Sequence, residues 1–186
     1  GYFVKTEHTY KSNPPSQMTR VRFLNCFGSV YESSPWIAET AWDLGKIDSK
    51  AVDSAEKLST ILSQIVDQAS DKKKMALLNA HPDLAGKLAI AGKLTAHSTK
   101  EQAGADLQNC TTEEFNQFQK LNRDYKEKFG FPFILAVQGY QRSEILKVFQ
   151  KRIKNSIEEE YKVALAQVNR IALLRLIRIE ETPGNN

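Results

Sequence analysis

Cysteine is nearly missing from this 186-residue chain: there are two, Cys26 and Cys110, and neither belongs to a C-x-x-C pair. Two cysteines cannot staple a fold, so a disulfide scaffold is excluded. Both read as reduced, partly buried thiols of a reducing compartment. Long apolar runs are missing too. No stretch approaches the ~18 residues of a membrane span, and no signal-type apolar segment opens the chain. Histidine is scarce, at three residues, and no H-E-x-x-H pattern offers a metal framework. Charge of one sign is also in short supply. Lys+Arg number 26 against 22 Asp+Glu, a net charge of +4. The densest basic cluster, Lys72-Lys73-Lys74, reads as a solvated helix face rather than a phosphate reader, so nucleic acid is not an expected partner. The chain starts at Gly1, and Pro183-Gly184-Asn185-Asn186 lacks the S-K-L peroxisomal address. Together these features predict a soluble, cytoplasmic protein.

What is present is an ordinary globular composition, 41% hydrophobic and 26% charged. The length suits one domain that hides roughly 70% of its unfolded surface. Residues 1–18 read as an N-terminal arm broken by Asn13-Pro14-Pro15-Ser16, residues 19–180 as the domain, and residues 181–186 as a tail. From Thr19 onward the helical period dominates. Ser34-Pro35 predicts a helix start and Gly45 its stop, with Trp36, Ile37, Ala41 and Leu44 inward. Val52, Ala55, Leu58, Leu62, Ile65 and Val66 recur at spacings of three and four, predicting an amphipathic helix over 51–69. Asp71 is the expected cap of the next helix, which carries Met75 and Leu78.

The pattern breaks at His81-Pro82-Asp83, and proline places His81 at a helix end or in the loop after it. Ser98 and Glu101 have capping-box spacing and open a helix towards Leu107; Thr111 and Glu114 repeat the device. The second box opens a helix with Phe115, Phe118, Leu121, Asn122, Tyr125 and Phe129 along one side, ended by Gly130. The apolar run Phe131–Val137 follows and begins extended because of Pro132. Ser143 is the expected cap of a further helix, and a last one runs from about Ser156 to Ile179. Tyr161, Leu165, Val168, Ile171, Ala172 and Ile179 are its inward residues. The predicted fold class is all-α, a compact bundle of about eight helices.

Several polar residues admit two readings. His81 either caps the carbonyls of the preceding helix or serves as a general acid/base near neutral pH. A metal site using His81, Asp83 and His97 is a third reading. Glu101 either closes the box with Ser98 or joins a helix start whose free N–H groups suit an oxygen-rich ligand; Gln102 follows it. Arg175 lies in a nearly continuous apolar stretch and either snorkels outward or aims its planar fork into a pocket. The apolar connection Gly130–Ile134 is either a buried crossover or a pocket wall that offers backbone groups to a polar heterocycle.

Three clusters in collinear order resemble one family. They are His81-Pro82-Asp83-Leu84-Ala85-Gly86-Lys87, then Leu94-Thr95 with Ser98, Glu101 and Gln102, then Leu121-Asn122-x-x-Tyr125-x-x-Lys128-Phe129-Gly130-Phe131-Pro132-Phe133-Ile134. With Phe27-Gly28 and Glu32-x-Ser34-Pro35-Trp36-Ile37-Ala38-Glu39 upstream, and Ala164-Leu165-x-x-Val168-x-x-Ile171-Ala172-x-x-Arg175-Leu176 downstream, they resemble OHCU decarboxylase. OHCU is 2-oxo-4-hydroxy-4-carboxy-5-ureidoimidazoline, an intermediate of urate breakdown. The resemblance implies an all-helical fold, cofactor-free decarboxylation to (S)-allantoin without a metal, and often a homodimer. It places the essential histidine on His81, the catalytic glutamate on Glu101 and the substrate-binding arginine on Arg175. Other substrate contacts fall on Pro82, on Ser98, Thr99, Lys100, Glu101 and Gln102, and on the backbone of Phe133, Ile134, Leu135, Ala136 and Val137. Ser33 departs from the family's usual histidine. A non-catalytic helical interaction module is the alternative reading. It accounts for the helices and charges, but not for the ordered set of motifs.

Overall fold

The computed structural model describes residues 7–84 and 111–181. Among these residues the regular elements are helices: α1 Arg20–Phe27, α2 Trp36–Asp43, α3 Ala55–Asp67, α4 Asp71–Ala80, α5 Thr112–Phe129, α6 Arg142–Arg152 and α7 Ile157–Glu181, with short 3-10 turns at Pro15–Gln17 and Lys50–Val52. The fold is all-α. Among the described residues the one β feature is an isolated antiparallel bridge between Thr9 and Ser54. The chain sorts into two compact units, one of Gly1–Leu77 with Asn169–Asn186, the other of Leu78–Val168. The helix expected from Ser98 to Leu107, together with His97 and Cys110, lies outside the described residues.

In the first unit, helix starts follow side-chain chemistry. Thr19 accepts from the Arg22 N–H to begin α1, and Ser54 accepts from the Lys57 N–H to begin α3. The Ser70 hydroxyl, rather than Asp71, caps α4 by accepting from the Lys73 N–H. The predicted helix over 51–69 is shorter at both ends, because Lys50–Val52 turn as a 3-10 segment before Ser54 restarts the chain. At α2 the expected Ser34 cap is not made. The Ser34 hydroxyl instead donates to the Glu32 carbonyl at 2.8 Å. Leu44, expected inward, is 60% exposed because α2 ends at Asp43; Ile47 is buried beyond the turn at Gly45 instead. Phe23 packs against Phe27 and Trp42, with centroids 5.2 and 5.4 Å apart. Leu58, Leu62, Ile65 and Val66 supply the buried stripe of α3.

The described part of the arm, from residue 7 onward, docks on its own unit. The Tyr10 N–H donates to the Asp53 carbonyl, the Ala55 N–H to the His8 carbonyl, and the Tyr10 hydroxyl to the Leu176 carbonyl at 2.7 Å. His8 joins Glu56 through both its backbone N–H and its ring Nδ1, each at 2.8 Å.

In the second unit, α5 opens with the predicted capping box, Thr111 and Glu114 bonding each other's backbone N–H. It closes at Gly130, whose φ of +80° is left-handed and suits a residue without Cβ. Phe118, Asn122, Tyr125 and Phe129 are buried along one face; Phe115 and Leu121 are half-buried. α6 begins one residue before the expected Ser143 cap. The Glu144 carboxylate accepts from the Gln141 N–H and so closes the first turn. Just past its end, the Ile153 and Asn155 carbonyls accept from Lys128 Nζ at 2.8 and 2.9 Å. On α7, Ser156 accepts from the Glu159 N–H. The buried stripe there runs Glu160, Ala164, Val168, with Tyr161 and Leu165 only half-buried; in the stretch of α7 that belongs to the first unit, Ile171 and Ala172 are buried and Ile179 is half-buried.

Arg152 and Glu160 form the polar heart of this unit. Arg152 donates to the Glu160 carboxylate through Nε at 3.0 Å and Nη2 at 2.9 Å, and to the Ile134 carbonyl through Nη1 at 2.7 Å. The Tyr125 hydroxyl donates to the same carboxylate. Burial, together with the Glu160 carboxylate, holds that hydroxyl well above the usual tyrosine range. Around the knot, Phe133 stacks on Phe149 at 3.8 Å, and the Arg152 guanidinium lies 4.3 Å from the Phe133 ring centre. Removing one partner of a buried ion pair strands the other charge. Glu160→Ala is therefore expected to destabilise the protein by about 3–5 kcal/mol, read by urea unfolding. A loss under about 1 kcal/mol would show that the pair does not brace this unit.

A pH effect follows from the arm. Burial raises the Glu56 carboxyl, but the bonds from His8 outweigh it, so Glu56 is held below the usual carboxylate range. A depressed acid contributes stability above its ordinary range and loses it as pH falls through the lowered value. The melting-temperature advantage of wild type over Glu56→Gln should therefore shrink on acidification below about pH 4.5; an advantage that stays constant would remove this linkage.

Candidate functional site

The site residues predicted from sequence fall in three places. Glu101, with Ser98, Thr99, Lys100 and Gln102, lies outside the described residues. His81, Pro82 and the Phe133–Val137 segment belong to the second unit, and Arg175 to the first.

His81 stands one residue beyond α4, as the following proline requires, and its N–H donates to the Leu78 carbonyl at 3.3 Å. It is 7% exposed, whereas Pro82 beside it is exposed and Leu84 is buried again. A short turn thus carries an imidazole inward, while the proline that enforces the turn faces water. Imidazole is the side chain whose ordinary titration range lies near neutral pH, so a histidine carried inward in this way is chemically suited to proton transfer. No group of three or more His, Cys, Asp or Glu side chains that could hold a metal occurs among the described residues. None of the described helices is long and apolar enough to cross a membrane.

The segment after Gly130 is non-helical through Gln138, and Phe131, Phe133, Ile134, Leu135, Ala136 and Val137 are all buried. Three of its backbone groups are committed. The Ile134 carbonyl accepts from Arg152, the Ala136 N–H donates to Gln167 Oε1 at 2.9 Å, and the Val137 carbonyl accepts from the Tyr140 N–H at 2.9 Å. The Leu135 and Val137 N–H groups, in residues 6% and 2% exposed, have no partner among the described residues. Backbone donors are rarely left so. The segment can therefore present N–H groups to a ligand rich in oxygen.

Arg175 does not snorkel. It is 5% exposed, and its Nη2 donates to Glu32 Oε1 at 2.9 Å while Nη1 reaches the Val30 carbonyl at 3.4 Å. Glu32 precedes Ser33, whose φ of +45° lies in the left-handed region unfavourable to a residue with Cβ. This turn, held by the Ser34 hydroxyl on the Glu32 carbonyl, sets the carboxylate against the guanidinium. Sequence reasoning had singled out neither Glu32 as the partner of Arg175 nor Gln167, Arg152 and Glu160 as the supports of the segment. Glu32 had a signal, its place in the E-x-S-P-W motif; the others had none.

The family model described as OHCU decarboxylase matches residues 16–177. The chain is 37% identical over 154 residues to the 2-oxo-4-hydroxy-4-carboxy-5-ureidoimidazoline decarboxylase of Haloferax volcanii, covering 83% of this chain and 86% of the relative. It is also 37% identical over 161 residues to the enzyme of that name from Halalkalicoccus jeotgali, covering 87% and 86%. Among solved structures, a crystal structure of (S)-allantoin synthase superposes with a TM-score of 0.71 at 30% identity, over 88% of this chain and 52% of that one. Residues 16–177 take in α1 through most of α7 and nearly every motif discussed above, and on that extent the chain belongs to the OHCU decarboxylase family.

Proposed function

We propose that the protein is a carboxy-lyase that converts OHCU to (S)-allantoin and carbon dioxide in urate degradation, without a cofactor and as a homodimer. The observation that carries the reading is the family match over residues 16–177, with His81 held inward by the proline turn at its own motif.

The chemistry suits such a scaffold. In OHCU the carboxylate sits on the hydroxyl-bearing ring carbon next to a C=N bond. When the C–C bond breaks, its electron pair moves into that imine and carbon dioxide leaves. The nitrogen gains a proton, the former imine carbon is protonated on one face, and the hydroxyl loses its proton to become the carbonyl of allantoin. One proton is consumed overall. The substrate is its own electron sink, so the protein's tasks are to hold the scissile bond perpendicular to the ring and to manage protons.

His81 is the proton-transfer group, and Glu101 orients it and grips the hydroxyl. Arg175 and Ser98 bind oxygens, with Thr99 and Lys100 next to Ser98 in the chain, and Gln102 reads the ureido group. Pro82 and the Phe133–Val137 backbone line the substrate. The buried N–H groups of Leu135 and Val137 support this role for the segment, since a wall of donors fits an anionic, carbonyl-bearing ring. The buried guanidinium of Arg175 supports its role in turn, because Glu32 fixes the fork before any ligand arrives.

Freshly made OHCU mixed with the protein should give a circular dichroism signal of (S)-allantoin. Racemic product, as spontaneous decay gives, would sink the proposal. His81→Asn is expected to lower the rate of chiral product formation by about 10²–10⁴-fold; a wild-type rate would take His81 out of the mechanism. Glu32→Gln keeps the shape of the side chain and removes the charge that steadies Arg175. Its expected effect is a rise in KM of about tenfold with a smaller change in kcat, measured by steady-state kinetics. An unchanged KM would leave Glu32 a purely structural partner.

A further inference from the structure

Asn122 lies on the buried face of α5, one turn after Phe118 and one turn before Tyr125, and is 7% exposed. Neither Nδ2 nor Oδ1 of its carboxamide has a hydrogen-bond partner among the described residues. Its neighbour Tyr125 is fully engaged: the hydroxyl donates to Glu160, and the ring packs edge-on to Phe131 and Phe133 at 5.9 and 5.4 Å. Asn122 thus shares a helix face with Tyr125, whose ring meets Phe131 and Phe133 at the start of the segment that runs on to Leu135 and Val137.

Withdrawing an amide from water without a partner costs free energy, and a leucine of similar size would occupy the same place without that cost. A carboxamide at such a position has its use in a state where it is paired. Its chemistry narrows the partner. Arginine and backbone N–H groups only donate and carboxylates only accept, whereas a carboxamide offers a donor and an acceptor side by side. That couple complements an N–H/C=O edge, the edge that a ureide presents both in its ring and in its ureido arm.

We propose that Asn122 is a substrate-binding residue that reads a ureide edge, its Oδ1 accepting from an N–H and its Nδ2 donating to the adjacent carbonyl. This rests on the reading of the reaction given above and adds to it a specificity residue that the motif roles leave out. It also accounts for the orphaned amide: the protein keeps a polar group that is satisfied only when a ureide is bound.

The test is Asn122→Leu, with three readouts. Thermal unfolding should give a melting temperature equal to or above that of wild type, because the unpaired amide is gone. Titration calorimetry with (S)-allantoin should show binding at least tenfold weaker, and kcat/KM for OHCU should fall at least tenfold. A structural role predicts the reverse, a lower melting temperature with binding and kcat/KM of the folded protein within twofold of wild type. That result overturns the proposal, as it would if a bridging water alone satisfied the amide. Should the leucine variant fail to fold, Asn122→Ala is judged by the same binding and kinetic criteria. Absence of chiral product from wild type would refute the reaction itself. The role of Asn122 would then be decided by calorimetry alone: allantoin binding that depends on Asn122 keeps it, and wild type that does not bind allantoin, or binds it as the variant does, overturns it.

Discussion

Arg152 and Glu160 meet where neither reaches water, and much of the second unit is arranged to make that tolerable. A carboxylate taken out of solvent needs its lone pairs answered. Here two arms of a guanidinium, the Tyr125 hydroxyl and the Asn155 amide all donate to it. A guanidinium taken out of solvent needs its remaining hydrogens placed, and Nη1 finds the Ile134 carbonyl. One ion pair therefore ties α5, α6 and α7 to an otherwise irregular stretch of backbone. The stacked aromatics around it exclude water, which makes the charges both stronger partners and harder to separate.

Among the described residues, most of those proposed to touch substrate occupy breaks in the helices. His81 stands where α4 gives out before a proline, and the apolar segment begins where Gly130 turns left-handed. The exceptions are Asn122, within α5, and Arg175, which projects from within α7 and owes its aim to Glu32 across the unit. Breaks leave backbone groups available and point side chains where a continuous helix could not. The surrounding packing then has to hold them still. Gln167 on the Ala136 N–H and Arg152 on the Ile134 carbonyl do this for the segment.

Local chemistry was legible in the sequence where neighbours in the chain decide the outcome. Thr111 with Glu114, Gly130 and the proline after His81 each did what their types dictate. Where several local partners compete, the sequence does not decide among them: Ser34 turns its hydroxyl to Glu32, Leu44 falls beyond the end of its helix, and Ser143 gives way to Glu144. Where a tertiary neighbour decides, the chain carries no mark at all, and Glu160 is the clearest case. It follows Glu158 and Glu159 in the first turn of α7, where acidic residues ordinarily sit in water and favour the helix dipole. Nothing along the chain marks the third of them as fully buried. Arg175 stayed ambiguous for the same reason, since an arginine in an apolar stretch looks alike whether its fork points out or in. The roles of His81, Glu101 and Arg175 were legible only through the resemblance of whole motifs, because spacing alone gave each an ordinary structural excuse.

The clamp on the Ile134 carbonyl bears on release in the proposed reading. Arg152 already occupies that oxygen, so the contacts proposed for substrate at this point are the Leu135 and Val137 N–H donors. Donors hold an anion better than a neutral molecule. On the proposed reading, loss of carbon dioxide discharges the ligand, which makes the product the easier of the two to let go.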